Sequence, residues 1–405
     1  MAGLPQIAQP TRPDRIPPGT RDPSELLIFP VDDNAVTDRV HACYTCATFR
    51  TMLPAQRHPT MADVAERAGV SVSTVSRTLR GLSTVSDEAR AKVEAAAREL
   101  SFVISRQASS LVTGKTGTVA VLAPTLGSWF VGQVLRGLSE VLRDAGLDLK
   151  VYSVADLAER AAFFDQLPAR RNADALLVIS FDLTEEEFAR LDGLGVPVVY
   201  VSQHAPGRAS VYVEDVAAAR GGTRYLRGLG HRRIAFVRAA PDSGFTCSSR
   251  TRLFGYREAL AEAALPYDED LVVATSRGRR ATAEAVGQLL CLADPPTAVF
   301  AETDEIAIEV LSVLRSSGIA VPDRLSVLGF DDHDHAEWLD LTTIAQPAVE
   351  VGRASGTLAH TLIDDPTADA TRHVVLPTHL IPRGTTGPVP QSAPEPKRES
   401  ESAQP

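Results

Sequence analysis

Residues 61–77 read Met-Ala-Asp-Val-Ala-Glu-Arg-Ala-Gly-Val-Ser-Val-Ser-Thr-Val-Ser-Arg, which is a pair of short helical patterns separated by a glycine. Thr60 and Asp63 form a capping-box pattern that opens the first helix. Gly69 ends that helix after about two turns, and Ser71 is a good N-cap for the second. The stretch therefore predicts two helices joined by a tight turn.

The second helix carries Val72, Val75 and Leu79 at spacings of three and four residues, which place one apolar face against a core. A third helix is predicted over residues 86–100, with acidic residues in its first turn, where the helix dipole favours them. Three short helices with a tight turn between the first two form a helix-turn-helix. We predict such an all-α DNA-binding domain at residues 58–103.

The second helix carries four polar side chains outside its apolar face: Ser73, Thr74, Ser76 and Arg77. Short hydroxyls can approach phosphates and base edges closely, and an arginine can bind guanine O6 and N7 together. Residues 58–116 carry eight basic and six acidic side chains, although the whole chain has a net charge of −10. A generic helical hairpin with a solvated polar face is the alternative, and the order of cap, glycine turn and Ser/Thr-rich helix disfavours it.

Short apolar runs alternate with amphipathic helices from residue 118 onward, which is typical of parallel sheets covered by helices on both faces. Residues 117–386 are long enough for two such lobes. The strand candidates are residues 118–124, 149–154, 175–180, 196–201, 233–238, 297–301 and 325–330. The helix candidates include residues 131–145, 217–229, 249–264, 282–292 and 305–317.

The two ends of the chain have the composition of disordered segments. Residues 1–57 form an extension with seven prolines among the first 30 positions, and a true start at Met52 or Met61 would make its first part an artefact of the assigned start site. Residues 387–405 are rich in Pro, Ser, Glu and Gln and are predicted to be a disordered tail.

Residues 104–116 connect the two domains. Arg106, Ala108 and Leu111 fit a helix of about two turns, which is marginal in water without a partner. Paired helices of this kind could enter a DNA minor groove with Leu111 as an apolar wedge. A plain flexible linker fits the composition equally well.

Four positions that follow or closely neighbour predicted strands suggest a ligand site: Phe130, Arg252, Thr303-Asp304 and Asp331-Asp332. In open α/β sheets, ligands bind beyond the carboxyl ends of the strands. An aromatic ring, an arginine and a carboxylate suit a sugar or another polyol, which offers an apolar ring face and many hydroxyls. Taken singly, each residue could equally be an ordinary surface residue or a helix cap.

No catalytic or metal site is predicted, and no cofactor is expected. Residues 114–116 resemble the end of a phosphate-binding P-loop, but the glycine required five positions before Gly114 is Ser109. Cys43 and Cys46, near His41, have zinc-like spacing without a second pair. The four cysteines are too few for a disulfide framework, and Cys247 and Cys291 are interpreted as ordinary packing residues.

The chain shows neither a secretory signal nor an apolar run of the roughly 20 residues that cross a membrane, so we expect a protein of the cytoplasm. A solute-binding protein for transport would need the signal and would lack the helix-turn-helix. An enzyme on a doubly wound fold would need a catalytic constellation, such as Gly-x-Ser-x-Gly or a His-x-x-x-His pair, and none is present.

Six motifs resemble the lactose/galactose repressor (LacI/GalR) family of bacterial transcription regulators over roughly residues 58–386. They are Asp63-Val-Ala-Glu-Arg-Ala-Gly-Val-Ser71, Thr74-Val-Ser-Arg77, Gly230-His-Arg-Arg-Ile234, Val327-Leu-Gly-Phe-Asp-Asp332, Leu341-Thr-Thr-Ile344 and Leu380-Ile-Pro-Arg-Gly-Thr385. The resemblance implies a homodimeric, non-catalytic regulator associated with the bacterial nucleoid and acting as a repressor, with a two-lobed core like type I periplasmic binding proteins. Its partners would be palindromic double-stranded operator DNA and a small effector, such as a sugar, bound between the lobes.

The resemblance also assigns residues. It places Val72 and Ser73 at the main base-reading positions, Arg77 on a base, and Leu111 at the central minor-groove step. The matching effector-pocket positions are Phe130, Arg252, Asp331 and Gln346. An added C-terminal leucine helix makes some members tetramers; residues 387–405 contain no Leu, Ile or Phe, so we expect a dimer.

The chain departs from the family pattern in the hinge, at the end of the second helix and around the pocket. In the hinge, Ile104-Ser105 replaces the usual Pro-Asn pair, and Ser109 replaces a common arginine. At the end of the second helix, Arg80 replaces an asparagine. Around the pocket, Ser128-Trp129 replaces an Asn-Pro pair, and Thr303 replaces an asparagine. Arg80 could add a phosphate contact. Thr303 removes an amide that would bind a hydroxyl, so the ligand can differ from simple hexoses.

Overall fold

The computed structural model describes residues 59–79, 84–102, 115–154, 156–240, 247–276 and 278–389. These fall into two compact units, one ending at residue 102 and the other beginning at residue 115. The predictions for residues 1–57, for Arg80 and for the hinge residues Arg106, Ala108 and Leu111 lie outside the described residues.

The first unit consists of three helices: α1 (Met61–Ala68), α2 (Val72–Leu79) and α3 (Asp87–Glu99). The capping box predicted for α1 is present, with the Thr60 side chain accepting from the Asp63 backbone. Gly69 has a φ of 65°, a left-handed conformation that glycine adopts without strain. The helix-turn-helix fold predicted from the sequence is confirmed.

The fully buried side chains of Val64, Val75 and Val93 form the centre of this unit, one from each helix. Val75 and the half-buried Leu79 therefore point inward, as their four-residue spacing predicted, whereas Val72 is exposed and the prediction is wrong for that residue. The opposite face of α2 is left to solvent.

The second unit contains two six-stranded sheets. In chain order its strands are β1 (Thr118–Ala123), β2 (Asp148–Ser153), β3 (Ala175–Ile179), β4 (Val198–Val201), β5 (Ser210–Val213), β6 (Ile234–Ala239), β7 (Val272–Thr275), β8 (Ala298–Ala301), β9 (Ser326–Asp331), β10 (Thr342–Ala345), β11 (His373–Leu376) and β12 (His379–Ile381). Its α-helices are α4 (Trp129–Asp144), α5 (Leu157–Gln166), α6 (Glu185–Asp192), α7 (Asp215–Gly228), α8 (Cys247–Glu262), α9 (Arg279–Leu290), α10 (Asp304–Ser316) and α11 (Ala348–Asp364). No helix among the described residues is long and apolar enough to cross a membrane.

The two sheets repeat one topology. The N-terminal lobe has the strand order β11-β5-β4-β3-β1-β2, and the C-terminal lobe has β12-β10-β9-β8-β6-β7. All neighbouring strands are parallel except β12, which runs antiparallel to β10. Since β11 and α11 return to the N-terminal lobe, the chain passes between the lobes three times, after β5, β10 and β11. This confirms the predicted two-lobed α/β core.

The seven predicted strands are all present, with ends shifted by at most two residues. Five further strands were not predicted from the sequence: β5, β7, β10, β11 and β12. Each has only three or four residues, and β11 alternates between exposed and half-buried positions at a sheet edge. So short a run carries too little periodicity to separate a strand from a loop.

The C-terminal lobe extends past the boundary predicted at residue 386. The Gly387 carbonyl oxygen lies 3.0 Å from His231 Nε2, and the Val389 backbone donates to the Leu229 carbonyl at 2.9 Å. Residues 387–389 are therefore part of the fold rather than of a disordered tail. Composition alone could not show this, because these bonds join segments more than 150 residues apart.

Helices α4 and α11 cross so closely that they leave no room for a side chain at two glycines. A Cβ atom on Gly137 would collide with the Val349 carbonyl oxygen, and one on Gly352 with that of Val134. The same helix α4 also carries Gly132, which is exposed and has open space where a Cβ would lie.

We expect Gly137→Ala to lower the free energy of unfolding by about 1–3 kcal/mol, because the two backbones must move apart. The control, Gly132→Ala, should leave stability unchanged or raise it by up to about 1 kcal/mol through helix propensity. Urea unfolding followed by circular dichroism measures both. Equal changes in the free energy of unfolding for the two variants would show that α4 and α11 have room for a side chain at Gly137.

Candidate functional site

A cavity of about 370 Å³ lies between the two lobes. Its walls come from the carboxyl ends of strands on both sides, where the topology of parallel sheets places ligand sites. All five effector residues predicted from the sequence line it: Phe130, Arg252, Thr303, Asp331 and Gln346. The fold thus brings together residues that are up to 216 positions apart in the chain.

Arg252 is the cation of this cavity and is only 2% exposed. Its Nε donates to Asp215 Oδ1 at 2.8 Å, and another guanidinium nitrogen donates to the Glu302 carbonyl oxygen at 2.7 Å. Asp331 Oδ1 lies 3.8 Å from the guanidinium, which also stacks 3.5 Å from the centre of the Phe330 ring. The orientation of Arg252 is therefore fixed by the protein before any ligand arrives.

Three buried carboxyl groups surround this cation. Burial raises the pKa of Asp215 and of Glu302, and the Arg252 charge opposes the rise in both. Burial also raises the pKa of Asp331 well above its ordinary value, with Arg252 opposing and the nearby Asp304 carboxylate adding to the rise. Such shifts in a cleft are typical of functional sites.

Gln346 and Asp331 form a polar pair in the cavity wall. Gln346 Nε2 donates to Asp331 Oδ1 at 2.6 Å. Its Oε1 atom is buried yet accepts no hydrogen bond from the described residues, and a buried acceptor without a donor is rare in folded proteins. Asp331 has a φ of 134°, a conformation that non-glycine residues seldom adopt unless their surroundings impose it.

Phe130 and Thr303 have other contacts besides the cavity. Phe130 packs against the core of the N-terminal lobe and supplies an aromatic wall. Thr303 is the N-cap of α10, its side chain accepting from the Ile306 backbone. Thr303 is thus a helix cap that also lines the cavity.

Several residues of the site were not found from the sequence. Glu302 directly follows β8, where the strand-end argument that selected its neighbour applies equally. Ser180 and Ser202 also follow strands and line the cavity, with left-handed φ values of 54° and 57°. Asp215 carried no signal, because its role depends on a partner 37 residues away.

The described residues contain no group of three or more side chains that could hold a metal ion. Cys43 and Cys46 lie outside the described residues. Cys247 is half-buried, and burial raises the pKa of its thiol. Cys291 is exposed, so the interpretation of it as a packing residue is wrong; it lies at the solvated end of α9.

Helix α2 presents its predicted polar face to solvent. Val72, Ser73 and Arg77 are exposed, and Thr74 and Ser76 are half-buried. The Ser71 hydroxyl lies 2.8 Å from that of Ser73 and 2.9 Å from that of Thr74, which orders the start of the helix. Thr60 is exposed but engaged in its capping box.

Both units match known families. Residues 60–105 match the profile of bacterial regulatory proteins of the lacI family, and residues 223–386 match the periplasmic binding protein-like domain. The HTH-type transcriptional regulator CelR of Thermobifida fusca is 33% identical over 341 residues, covering 81% of this chain and 98% of that protein. The chain belongs to the LacI family.

Solved structures of this family agree with the fold. The lac repressor dimer bound to operator and the anti-inducer ONPF aligns with a TM-score of 0.72 at 25% identity, covering 82% of this chain and all of that one. A complex of the regulator CelR with cellobiose aligns with a TM-score of 0.59 at 31% identity, covering 81% of this chain and 99% of that one. The chain is thus a ligand-controlled, DNA-binding regulator and not an enzyme.

We expect Arg252→Ala to lower the free energy of unfolding by about 3 kcal/mol at neutral pH, because it leaves Asp215 buried without its cation. Losing the cation raises the pKa of Asp215 further above its unfolded value. The penalty should therefore be largest at high pH and shrink as falling pH protonates the carboxyl.

The control is Arg250→Ala, on the same helix, which breaks an exposed ion pair with Asp182 and should cost under about 1 kcal/mol. Urea unfolding at several pH values measures both. A penalty for Arg252→Ala that is small, or that grows as pH falls, would contradict the assigned pairing.

Proposed function

We propose that this chain is a homodimeric transcriptional repressor of the bacterial cytoplasm. Its binding to a palindromic operator is controlled by a saccharide or a related polyol. The cavity at the strand ends supports this most directly, because it combines an oriented arginine, a carboxylate, an amide and an aromatic wall. Sugars need this combination of hydrogen-bonding groups and a flat apolar surface.

The effector is expected to bind with its hydroxyls toward Arg252, Asp331 and Gln346, and with a ring face toward Phe130. Gln346 Oε1 is the acceptor that a ligand hydroxyl would satisfy. Cellobiose, which the related CelR structure contains, enters the candidate list together with other mono- and disaccharides.

The operator is expected to be read by α2 in the major groove. Val72 is 48% exposed at the start of this helix, where its apolar side chain is available to contact a thymine methyl group. Ser73 and Arg77 lie on the same exposed side. Two subunits would place two such helices one DNA turn apart.

We expect Arg77→Ala to weaken binding to the selected operator by about 5- to 150-fold, the range for losing one good base contact. Lys92→Ala is the control, because it also removes one positive charge but from a lysine on α3 that pairs with Glu88. Fluorescence anisotropy at one salt concentration, with the operator obtained by in vitro selection, measures both. If Arg77→Ala lowers the affinity for operator DNA and for scrambled DNA by the same factor, Arg77 contacts only phosphates.

We expect Gln346→Ala to weaken effector binding about 10-fold, the effect of losing about one hydrogen bond. Gln203→Ala is a matched control: it is as deeply buried and also has an unpartnered Oε1, but it does not line the cavity. The readout is the thermal shift caused by a saccharide panel. A saccharide that stabilises all three proteins equally would bind elsewhere.

A further inference from the structure

Trp129, the first residue of α4, joins the N-terminal lobe to the C-terminal lobe. Its backbone N–H donates to Glu305 Oε1 at 3.2 Å, and its indole Nε1 donates to Asp334 Oδ2 at 2.9 Å. The indole also lies 5.0 Å from the His333 ring, measured between centroids. All three contacts cross the gap between the lobes, since the partners follow β8 and β9.

These contacts lie at the rim of the effector cavity. Ser128 and Phe130, on either side of Trp129, line the cavity, and so does Glu305. Trp129 itself does not line it. One turn further along α4, Gln133 Nε2 lies 3.4 Å from the same Asp334 carboxylate.

The C-terminal side of this junction is held in place by the buried carboxylate of Asp304. Asp304 Oδ2 accepts from the His333 backbone at 2.8 Å, while Oδ1 accepts from the Thr343 hydroxyl at 2.7 Å. Arg383 donates to Asp332 at 2.8 Å and fixes the preceding residue. The segment that receives Trp129 is therefore ordered by its own lobe.

The family resemblance implies a proline at the position of Trp129. Proline is well suited to the first position of a helix, so the helix start does not require tryptophan. Proline also has no N–H to give Glu305 and no indole to reach Asp334. Both hydrogen bonds that Trp129 makes across the cleft would therefore be lost with proline at this position.

We propose that Trp129 is a latch, formed with Glu305, His333 and Asp334, that holds the lobes closed over the effector cavity in the absence of effector. A ligand whose binding requires the closed state has an apparent affinity scaled by the fraction of molecules already closed. The latch therefore tightens effector binding and slows exchange through the cleft. The inference rests on the proposed effector site, but its test needs no effector.

The test measures the distance between the lobes by double electron–electron resonance. Spin labels are placed on Leu157→Cys in the N-terminal lobe and Arg280→Cys in the C-terminal lobe, both highly exposed, with the four native cysteines changed to serine. The full-length chain with the latch, mixed with excess unlabelled chain so that at most one subunit of a dimer carries labels, should give one narrow distance. Trp129→Pro and Asp334→Ala should each raise the ratio of open to closed molecules about tenfold, which corresponds to about 1.4 kcal/mol.

Two further variants distinguish loss of the latch contacts from a nonspecific disturbance of the fold. Trp129→Phe keeps the backbone donor and the ring and should give an intermediate shift. Trp338→Phe changes an 80% exposed tryptophan that stacks on His335 on the same surface, and should leave the distances unchanged. Far-ultraviolet circular dichroism confirms that each variant is folded.

An unchanged distance distribution in both Trp129→Pro and Asp334→Ala would overturn the proposal. A shift in Trp338→Phe as large as in Trp129→Pro would overturn it as well, because the effect would then belong to the surface rather than to the latch. If the distances shift as expected while no saccharide binds, the latch stands and the proposed effector class fails.

Discussion

The buried guanidinium of Arg252 is the interaction on which the effector-binding core depends. It binds the Asp215 carboxylate at the start of α7 and the Glu302 carbonyl at the end of β8, and it lies beside Asp331 at the end of β9. A single cation thus fixes three separate segments of the C-terminal lobe around the cavity. Removing it leaves buried carboxyl groups without compensation, so the site and the stability of the lobe cannot be altered independently at this position.

This constraint separates two kinds of site residue. Arg252 and Asp215 are held by each other and shape the cavity wall. Gln346 has a free acceptor directed to no described protein group, and Phe130 offers a ring face, so these side chains have capacity left for a ligand. Variation at residues of the second kind can change which ligand is bound without disturbing the first.

The sequence predicted the helix-turn-helix well because its signals are local. The cap, the left-handed glycine and the apolar spacing of α2 all lie within about 20 residues of one another. The strand-end argument also placed Arg252, Thr303 and Asp331 in one cavity, while Gln346 was found only through the family resemblance.

Long-range partners were not predictable in the same way. The pairing of Asp215 with Arg252, the bonds of residues 387–389 and the contact of Trp129 with Asp334 all join segments whose distance in the chain hides their proximity. The resemblance marks Trp129 as a departure from the family pattern, but only the fold shows that its donors face the other lobe. Departures at helix starts therefore merit attention wherever the start lies at a cleft.

We expect ligand binding in this cavity and operator binding by α2 to be energetically linked. The most direct test measures the affinity of a stabilising saccharide for the free protein and for the operator complex, and the operator affinity with and without that saccharide, at one salt concentration. Linkage requires both pairs of affinities to change by the same factor. We predict equal factors, each at least about fivefold; a saccharide that binds equally well to free and operator-bound protein would contradict the account.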